Sequence, residues 1–132
     1  MNQEFNNILD VICAQDPRYK QDAYEFVMEA LTYTQKKYSR CKHVTGTELL
    51  EGMKELLLNK YGPMTLSVLQ YWGIEKTEDF GHIVFNLVEN KVLSKSAEDD
   101  IEHFRDGYDF KEAFHADYRR QLEKKISRMR TF

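Results

Sequence analysis

Residues 62–93 read GPMTLSVLQYWGIEKTEDFGHIVFNLVENKVL and predict two short helices joined by a tight turn. Pro63 suits the first position of a helix, and Gly73 before an apolar residue is typical of a helix that ends in a left-handed glycine cap. Thr77 is the expected N-cap of the second helix, in which apolar residues recur at helical spacing from Phe80 onwards. The pattern therefore predicts a helix-turn-helix or winged-helix-like centre.

Helical patterns also flank this centre. Apolar spacing predicts helices over about residues 3–15 and 19–38. A third helix is expected to begin at the capping box of residues 45–48, and a final helix at the similar box of residues 109–112. Five to six helices follow from these patterns, so we predict a mainly α fold.

The segment after the second central helix predicts one short β-hairpin. Residues 92–94 are expected to form its first strand and residues 101–104 its return strand. The acidic residues 98–100 would form the turn between them. Such a hairpin beside the two central helices would complete a winged-helix-like module.

Length and composition indicate one globular domain. The chain has 132 residues, of which 42% are hydrophobic, 13% aromatic and 31% charged, as in ordinary globular proteins with a solvated surface. We predict a single domain over residues 1–132, with its core at about 3–118 and a basic helix or tail at 119–132. The formal net charge of -3 argues against nucleic-acid binding by the whole surface, since such domains usually carry excess Lys and Arg.

The charge is unevenly distributed along the chain. Six cations and one acid give residues 119–132 a formal charge of +5, which leaves about -8 on the rest. This basic tail is a candidate contact for nucleic acid or for an acidic protein, through Arg119, Arg120, Lys124, Lys125, Arg128 and Arg130.

No motif for catalysis or metal binding is complete in this sequence. Asp79-Phe80-Gly81 matches a kinase tripeptide, but a kinase needs further motifs and roughly twice this length. The four histidines are scattered, and Cys41 with His43 has no second pair at zinc-finger spacing. Two cysteines make a disulfide framework unexpected. We predict no cofactor or metal, and we favour a protein that is not an enzyme.

Targeting signals are also missing from the pattern. The first residues lack the basic and apolar segments of a secretion signal, and no apolar run approaches the roughly 20 residues that span a bilayer. We therefore expect a cytoplasmic protein without a membrane partner.

Two exposed regions are predicted to contact a partner. The outer edge of the second central helix carries Glu78, Asp79, His82 and Asn86, and acids at this position disfavour DNA. Tyr108 and Phe110 follow a glycine turn that would leave them partly exposed, whereas the other aromatic residues at helical spacing are expected in the core.

Several motifs together resemble one protein family. They are Asp16-Pro17-Arg18-Tyr19, His43-Val44-Thr45-Gly46, Tyr61-Gly62-Pro63-Met64, Trp72-Gly73-Ile74, Thr77-Glu78-Asp79-Phe80-Gly81 and Gly107-Tyr108-Asp109-Phe110. As a set they are similar to small conserved hypothetical proteins described from Verrucomicrobia and Planctomycetes and found in other bacteria. The resemblance covers about residues 8–115 and implies no reaction, cofactor or partner. It ends after Phe114, where this chain adds its basic helix.

The functional hypothesis is a cytoplasmic protein-interaction or regulatory module without catalysis. The alternative is a nucleic-acid-binding protein that uses the basic tail and the winged-helix-like module. Neither the partner nor the oligomeric state follows from these patterns.

Overall fold

Helices account for most of the computed structural model, which describes residues 3–39, 43–94 and 101–129. The α-helices of these ranges are α1 (Gln3–Gln15), α2 (Gln21–Lys37), α3 (Gly46–Tyr61), α4 (Thr65–Trp72), α5 (Thr77–Glu89) and α6 (Asp117–Met129). Two 3₁₀ turns occupy Gly62–Met64 and Ile101–Phe104, and a π-helical turn, Glu112–Ala116, leads directly into α6. The mainly α prediction is confirmed, and the bounds of α1 and α2 lie within two residues of those expected.

The pair formed by α2 and α3 is packed closely because a glycine lies at the contact. A Cβ atom on Gly52 of α3 would stand 1.9 Å from Oγ1 of Thr34 on α2. The Thr34 hydroxyl donates to the carbonyl oxygen of Ala30 at 2.7 Å, which satisfies this buried polar atom. At the surface of the same pair, Lys60 forms an ion pair with Glu29 at 2.7 Å. No larger residue fits at position 52 without separating the helices.

The apolar faces of the helices meet in one core. Its fully buried members come from every helix between α1 and α5, and they include Leu9, Ile12, Tyr24, Val27, Met53, Leu57, Leu69, Phe80, Ile83 and Leu87. Phe104, Phe110 and Phe114 from the later turns close the core against α5. Each large side chain buried in this way contributes roughly 1.5–3 kcal/mol to stability.

The end of α4 has the predicted glycine cap. Gly73 is left-handed, with φ 87° and ψ 16°. Its N–H donates to the carbonyl oxygen of Gln70 at 3.1 Å, and the N–H of Ile74 donates to that of Leu69 at 2.9 Å. These two bonds form a Schellman motif, and the buried Ile74 provides its apolar contact. The two central helices joined by a tight turn are therefore confirmed.

The start of α5 differs from the prediction that Thr77 is its N-cap. Thr77 is the first residue of the helix, and its buried hydroxyl accepts a hydrogen bond from the N–H of Gly107 at 3.0 Å. Asp79 supplies the cap in its place, since one carboxylate oxygen accepts from the N–H groups of Glu75 at 2.8 Å and Lys76 at 3.2 Å. Thr77 therefore ties the start of α5 to the turn at Gly107, while Asp79 accepts the hydrogen bonds that precede the helix.

The predicted hairpin does not form among the residues that the structure describes. Residues 92–94 follow a second Schellman motif, in which Lys91 is left-handed and the N–H of Val92 donates to the carbonyl oxygen of Leu87 at 2.9 Å. The expected return strand, Ile101–Phe104, is a 3₁₀ turn whose Phe104 ring packs against Gly81. Residues 98–100, the proposed turn, lie outside the described ranges. The N–H groups of Val92 and Leu93, which a first strand would need for pairing, are bonded to the carbonyl oxygen of Leu87 instead.

Candidate interaction surfaces

The outer edge of α5 is tied to the loop between α1 and α2. Asp79 accepts a hydrogen bond of 2.6 Å from the hydroxyl of Tyr19, in addition to its role at the helix start. Asn86, two turns further on, donates from Nδ2 to Asp16 and to the hydroxyl of Tyr24, both at 2.9 Å. Two of the four predicted contact residues on α5 therefore hold the α1–α2 loop in place.

The other two residues of this edge are less engaged. Glu78 is half-buried, and its carboxylate lies 3.5 Å from the backbone N of Asp106. His82 is half-buried and forms no hydrogen bond with the described part of the chain. A single histidine beside satisfied side chains offers little surface for a partner.

Charge stabilises the α1–α2 loop as well. The Arg18 side chain forms a bidentate hydrogen bond with the Asp16 carboxylate, at 2.8 and 2.7 Å. This bond, helped by Asn86, holds the pKa of Asp16 well below its usual value although burial opposes the shift. Burial raises the pKa of Tyr19, and its bond to Asp79 raises it further. Across the neutral pH range Asp16 therefore stays ionised and Tyr19 stays protonated. Their hydrogen bonds persist over that range and hold the loop in place.

Cys13 lies beside the same loop, and its thiol donates to the carbonyl oxygen of Tyr19 at 3.8 Å. Burial raises the pKa of this thiol, and the carboxylates of Asp10 and Asp16 add to the effect. Reactive cysteines need the opposite shift, because the thiolate is the nucleophile. The arrangement favours a structural thiol.

We expect acid to destabilise the protein through Asp16. Because the folded-state pKa of Asp16 is below its unfolded value of roughly 4, this carboxylate stabilises the fold above that pH. The contribution is lost as the pH falls through the folded-state pKa. Asp16→Asn should lower stability at neutral pH and make the loss below about pH 4 shallower than in the wild type, as measured by urea unfolding. Glu89→Gln, which removes an exposed acid of α5, is the control. If stability falls with pH in the same way for Asp16→Asn and for the wild type, Asp16 is not the source of the acid sensitivity.

Tyr108 and Phe110 lie in an aromatic cluster. Phe110 is only 8% exposed, and its ring centroid lies 5.9 Å from that of Phe80 and 5.5 Å from that of Phe114. The Tyr108 hydroxyl donates to the carbonyl oxygen of Leu50 at 2.8 Å, and burial raises the pKa of this tyrosine. The expected exposure of Phe110 is wrong because the turn at Gly107 folds back over α3 and α5.

The basic helix α6 differs from the other helices because large apolar side chains on it are exposed. Leu122 is 42% exposed and Ile126 is 48% exposed. At 100° per residue they share one face of α6, Arg119 and Lys125 flank that face, and Lys124 lies opposite. The five described cations of the predicted tail, Arg119, Arg120, Lys124, Lys125 and Arg128, are all exposed, whereas Arg130 lies outside the described residues.

A surface that the sequence patterns did not single out lies where α2, α3 and α4 meet. It is an open groove of about 250 Å³, which we call the acidic groove, lined by Asp22, Glu25, Phe26, Glu29, Lys60, Tyr61 and Trp72. The three acids lie at positions i, i+3 and i+7 of α2, a spacing that places them on one helical face. The acid row could have been found from this spacing. The aromatic floor could not, because its rings come from three different helices.

Within the described ranges, no group of three or more His, Cys, Asp or Glu side chains is arranged to hold a metal ion. None of the helices in these ranges has the length and apolar content that crossing a bilayer requires.

Comparisons of the chain with models of protein families, with curated proteins and with solved structures found no match. The resemblance to the small bacterial family therefore stays a prediction.

Proposed function

We propose that this protein is a cytoplasmic protein-interaction module whose α6 docks on an acidic, partly apolar protein surface. The observation that carries the proposal is the exposure of Leu122 and Ile126 on one face of a helix that is otherwise rich in cations. Amphipathic helices bind protein grooves through apolar residues at such i, i+4 spacing. The outer edge of α5 is a weaker candidate, because Asp79 and Asn86 are already engaged within the chain.

The alternative is nucleic-acid binding through the cations of α6. Arg120 and Lys124 lie away from the apolar face, where they could follow a phosphate backbone. Protein binding is favoured because phosphate contacts would not require exposed leucine and isoleucine side chains. A protein partner would bury them.

We further propose that α4 and α5 serve as a helix-turn-helix-like scaffold that does not read DNA. The first turn of α5 carries Glu78 and Asp79, and carboxylates beside phosphates are repelled. Asp79 is also bonded to the helix start and to Tyr19, so turning it away would break these bonds. Because residues 101–104 form a 3₁₀ turn, the proposal keeps the helix-turn-helix part of the winged-helix-like centre and leaves out its hairpin.

Capture from native lysate on the immobilised full-length protein tests the two functions. We expect the double variant Leu122→Ser, Ile126→Ser to retain much less of any specifically bound protein, because the apolar contact is removed. Lys124→Ser, on the opposite face, is the matched control and should retain it. Nuclease treatment should change nothing. Loss of binding with Lys124→Ser or with nuclease, and not with the apolar variant, would support the nucleic-acid alternative and contradict the proposal.

A further inference from the structure

The acidic groove has the chemistry to receive a basic amphipathic helix. Its three acids and one lysine give a formal charge of -2, and Lys60 is already paired with Glu29 at 2.7 Å. Asp22 and Glu25 have no cationic partner among the described residues. An incoming cation would therefore find two free carboxylates at the rim.

The floor and the border of the groove are aromatic and apolar. The Trp72 ring lies 5.3 Å from the ring of Phe26 and 5.8 Å from that of Tyr61, measured between centroids. Tyr71, which precedes Trp72 on α4, is 66% exposed, and Met64, at the end of the Gly62–Met64 turn after Tyr61, is 58% exposed. Exposed apolar side chains next to a polar rim are typical of protein-binding surfaces.

We propose that the acidic groove of one copy receives α6 of a second copy. This inference rests on the proposed function, because it names the partner of α6. Leu122 and Ile126 would cover the apolar border, while the flanking cations Arg119 and Lys125 would reach the carboxylates of the rim. Long basic side chains can lie along apolar surface and still place their charge at its edge.

Charge selects this arrangement over the pairing of two α6 helices. The residues of α6 include five cations and two acids, a formal charge of +3. Two such helices side by side would bring like charges together, which costs free energy. Docking of α6 on the groove brings opposite charges together. Because both surfaces belong to the same chain, a second copy supplies the complement.

The position of α6 also suits an exchange between two copies. The π-helical turn from which α6 departs packs against α4 and the Gly62–Met64 turn, which border the acidic groove. Within one chain α6 does not run along α2, so its own groove stays open. The 13 residues of α6 reach about 20 Å. A two-fold axis beside this region would let each α6 enter the groove of the other copy, and the dimer would be closed.

Sedimentation equilibrium of the purified full-length protein tests the inference. The wild-type mass should rise from one chain towards two chains as the protein is concentrated, and added salt should weaken the association. The double variants Asp22→Lys, Glu25→Lys and Arg119→Glu, Lys125→Glu should each lose about tenfold or more in self-affinity, because like charges would meet. An equimolar mixture of the two variants should associate again, since the reversed charges are complementary.

Matched variants and a folding check make the outcome decisive. Lys124→Glu, on the opposite face of α6, should lose less than about threefold. Helical circular dichroism equal to that of the wild type must accompany each variant, and the mixture provides an independent check because unfolded chains would not associate. A wild type that remains one chain at every concentration would overturn the inference, as would variants that self-associate like the wild type or a mixture that fails to associate.

The failures of the two proposals are distinguishable. If the purified protein stays monomeric but lysate capture still depends on Leu122 and Ile126, the second-copy inference fails and the proposed function stands. If capture does not depend on these residues either, both fail.

Discussion

Replacing Trp72 by alanine is expected to lower the free energy of unfolding by about 3–5 kcal/mol, which is the usual loss for a large aromatic residue in a core. Trp72 is buried at the end of α4, where its ring contacts those of Phe26 on α2 and Tyr61 on α3. Removing the indole would leave a cavity where three helices meet. These helices cannot all move inwards, because α2 and α3 are already in contact at Gly52.

Urea unfolding followed by circular dichroism measures this loss, since the chain has no other tryptophan to report on it by fluorescence. Tyr71→Ala is the matched control, because Tyr71 is the neighbouring residue on α4 and is largely exposed. We expect the control to lose less than about 1 kcal/mol. Similar losses for the two variants would show that Trp72 does not join the three helices.

Gly73→Ala is expected to cost about 2–4 kcal/mol for two separate reasons. The left-handed conformation of Gly73 is unfavourable for a residue with a Cβ atom. That atom would also stand 2.2 Å from the carbonyl oxygen of Arg18, a backbone atom that cannot rotate away. The neighbouring hydrogen bond from the N–H of Lys20 to the carbonyl oxygen of Trp72 holds the same loop close.

The melting temperatures of two further variants distinguish the cost of the left-handed conformation from the cost of the close contact with Arg18. Asn tolerates the left-handed conformation but carries a Cβ atom, so Gly73→Asn should still be destabilised by the contact with Arg18. Gly107→Ala should lose less, because its Cβ would meet the side chain of Leu50, which can rotate. A melting temperature that rises in Gly73→Ala would contradict both the cap and the close approach.

The helices were predictable because their signals are local. The Thr45–Glu48 capping box is present as expected, with the Thr45 Oγ1 accepting from the N–H of Glu48 at 3.0 Å. The Schellman motif at Gly73 depends only on neighbouring residues, and it was predicted too. The hairpin prediction failed because residues 92–94 have a pattern that suits a strand, whereas the N–H groups of Val92 and Leu93 bond to the carbonyl oxygen of Leu87 at the end of α5. Local pattern does not show which competing hydrogen bonds form.

The surfaces were harder to predict because they depend on contacts between distant residues. Asp79 and Asn86 looked exposed on a helical wheel, but Tyr19, Asp16 and Tyr24 lie against them from segments about 60 to 70 positions away. The acidic groove likewise needs side chains from α2, α3 and α4. The cations of α6 were predictable from charge alone, whereas the exposure of Leu122 and Ile126 required knowledge of where the core ends.

The π-helical turn Glu112–Ala116 gives the chain a way to redirect α6. A π-turn contains one residue more than the α-helical turn it replaces. Deleting that residue would restore regular α-helix and rotate everything beyond it by about 100°, with a shift of about 1.5 Å along the axis. If the deleted residue lies after Phe114, the leucine and isoleucine would point in a new direction while Phe110 and Phe114 kept their contact. Binding specificity in such proteins can thus diverge through a one-codon length change.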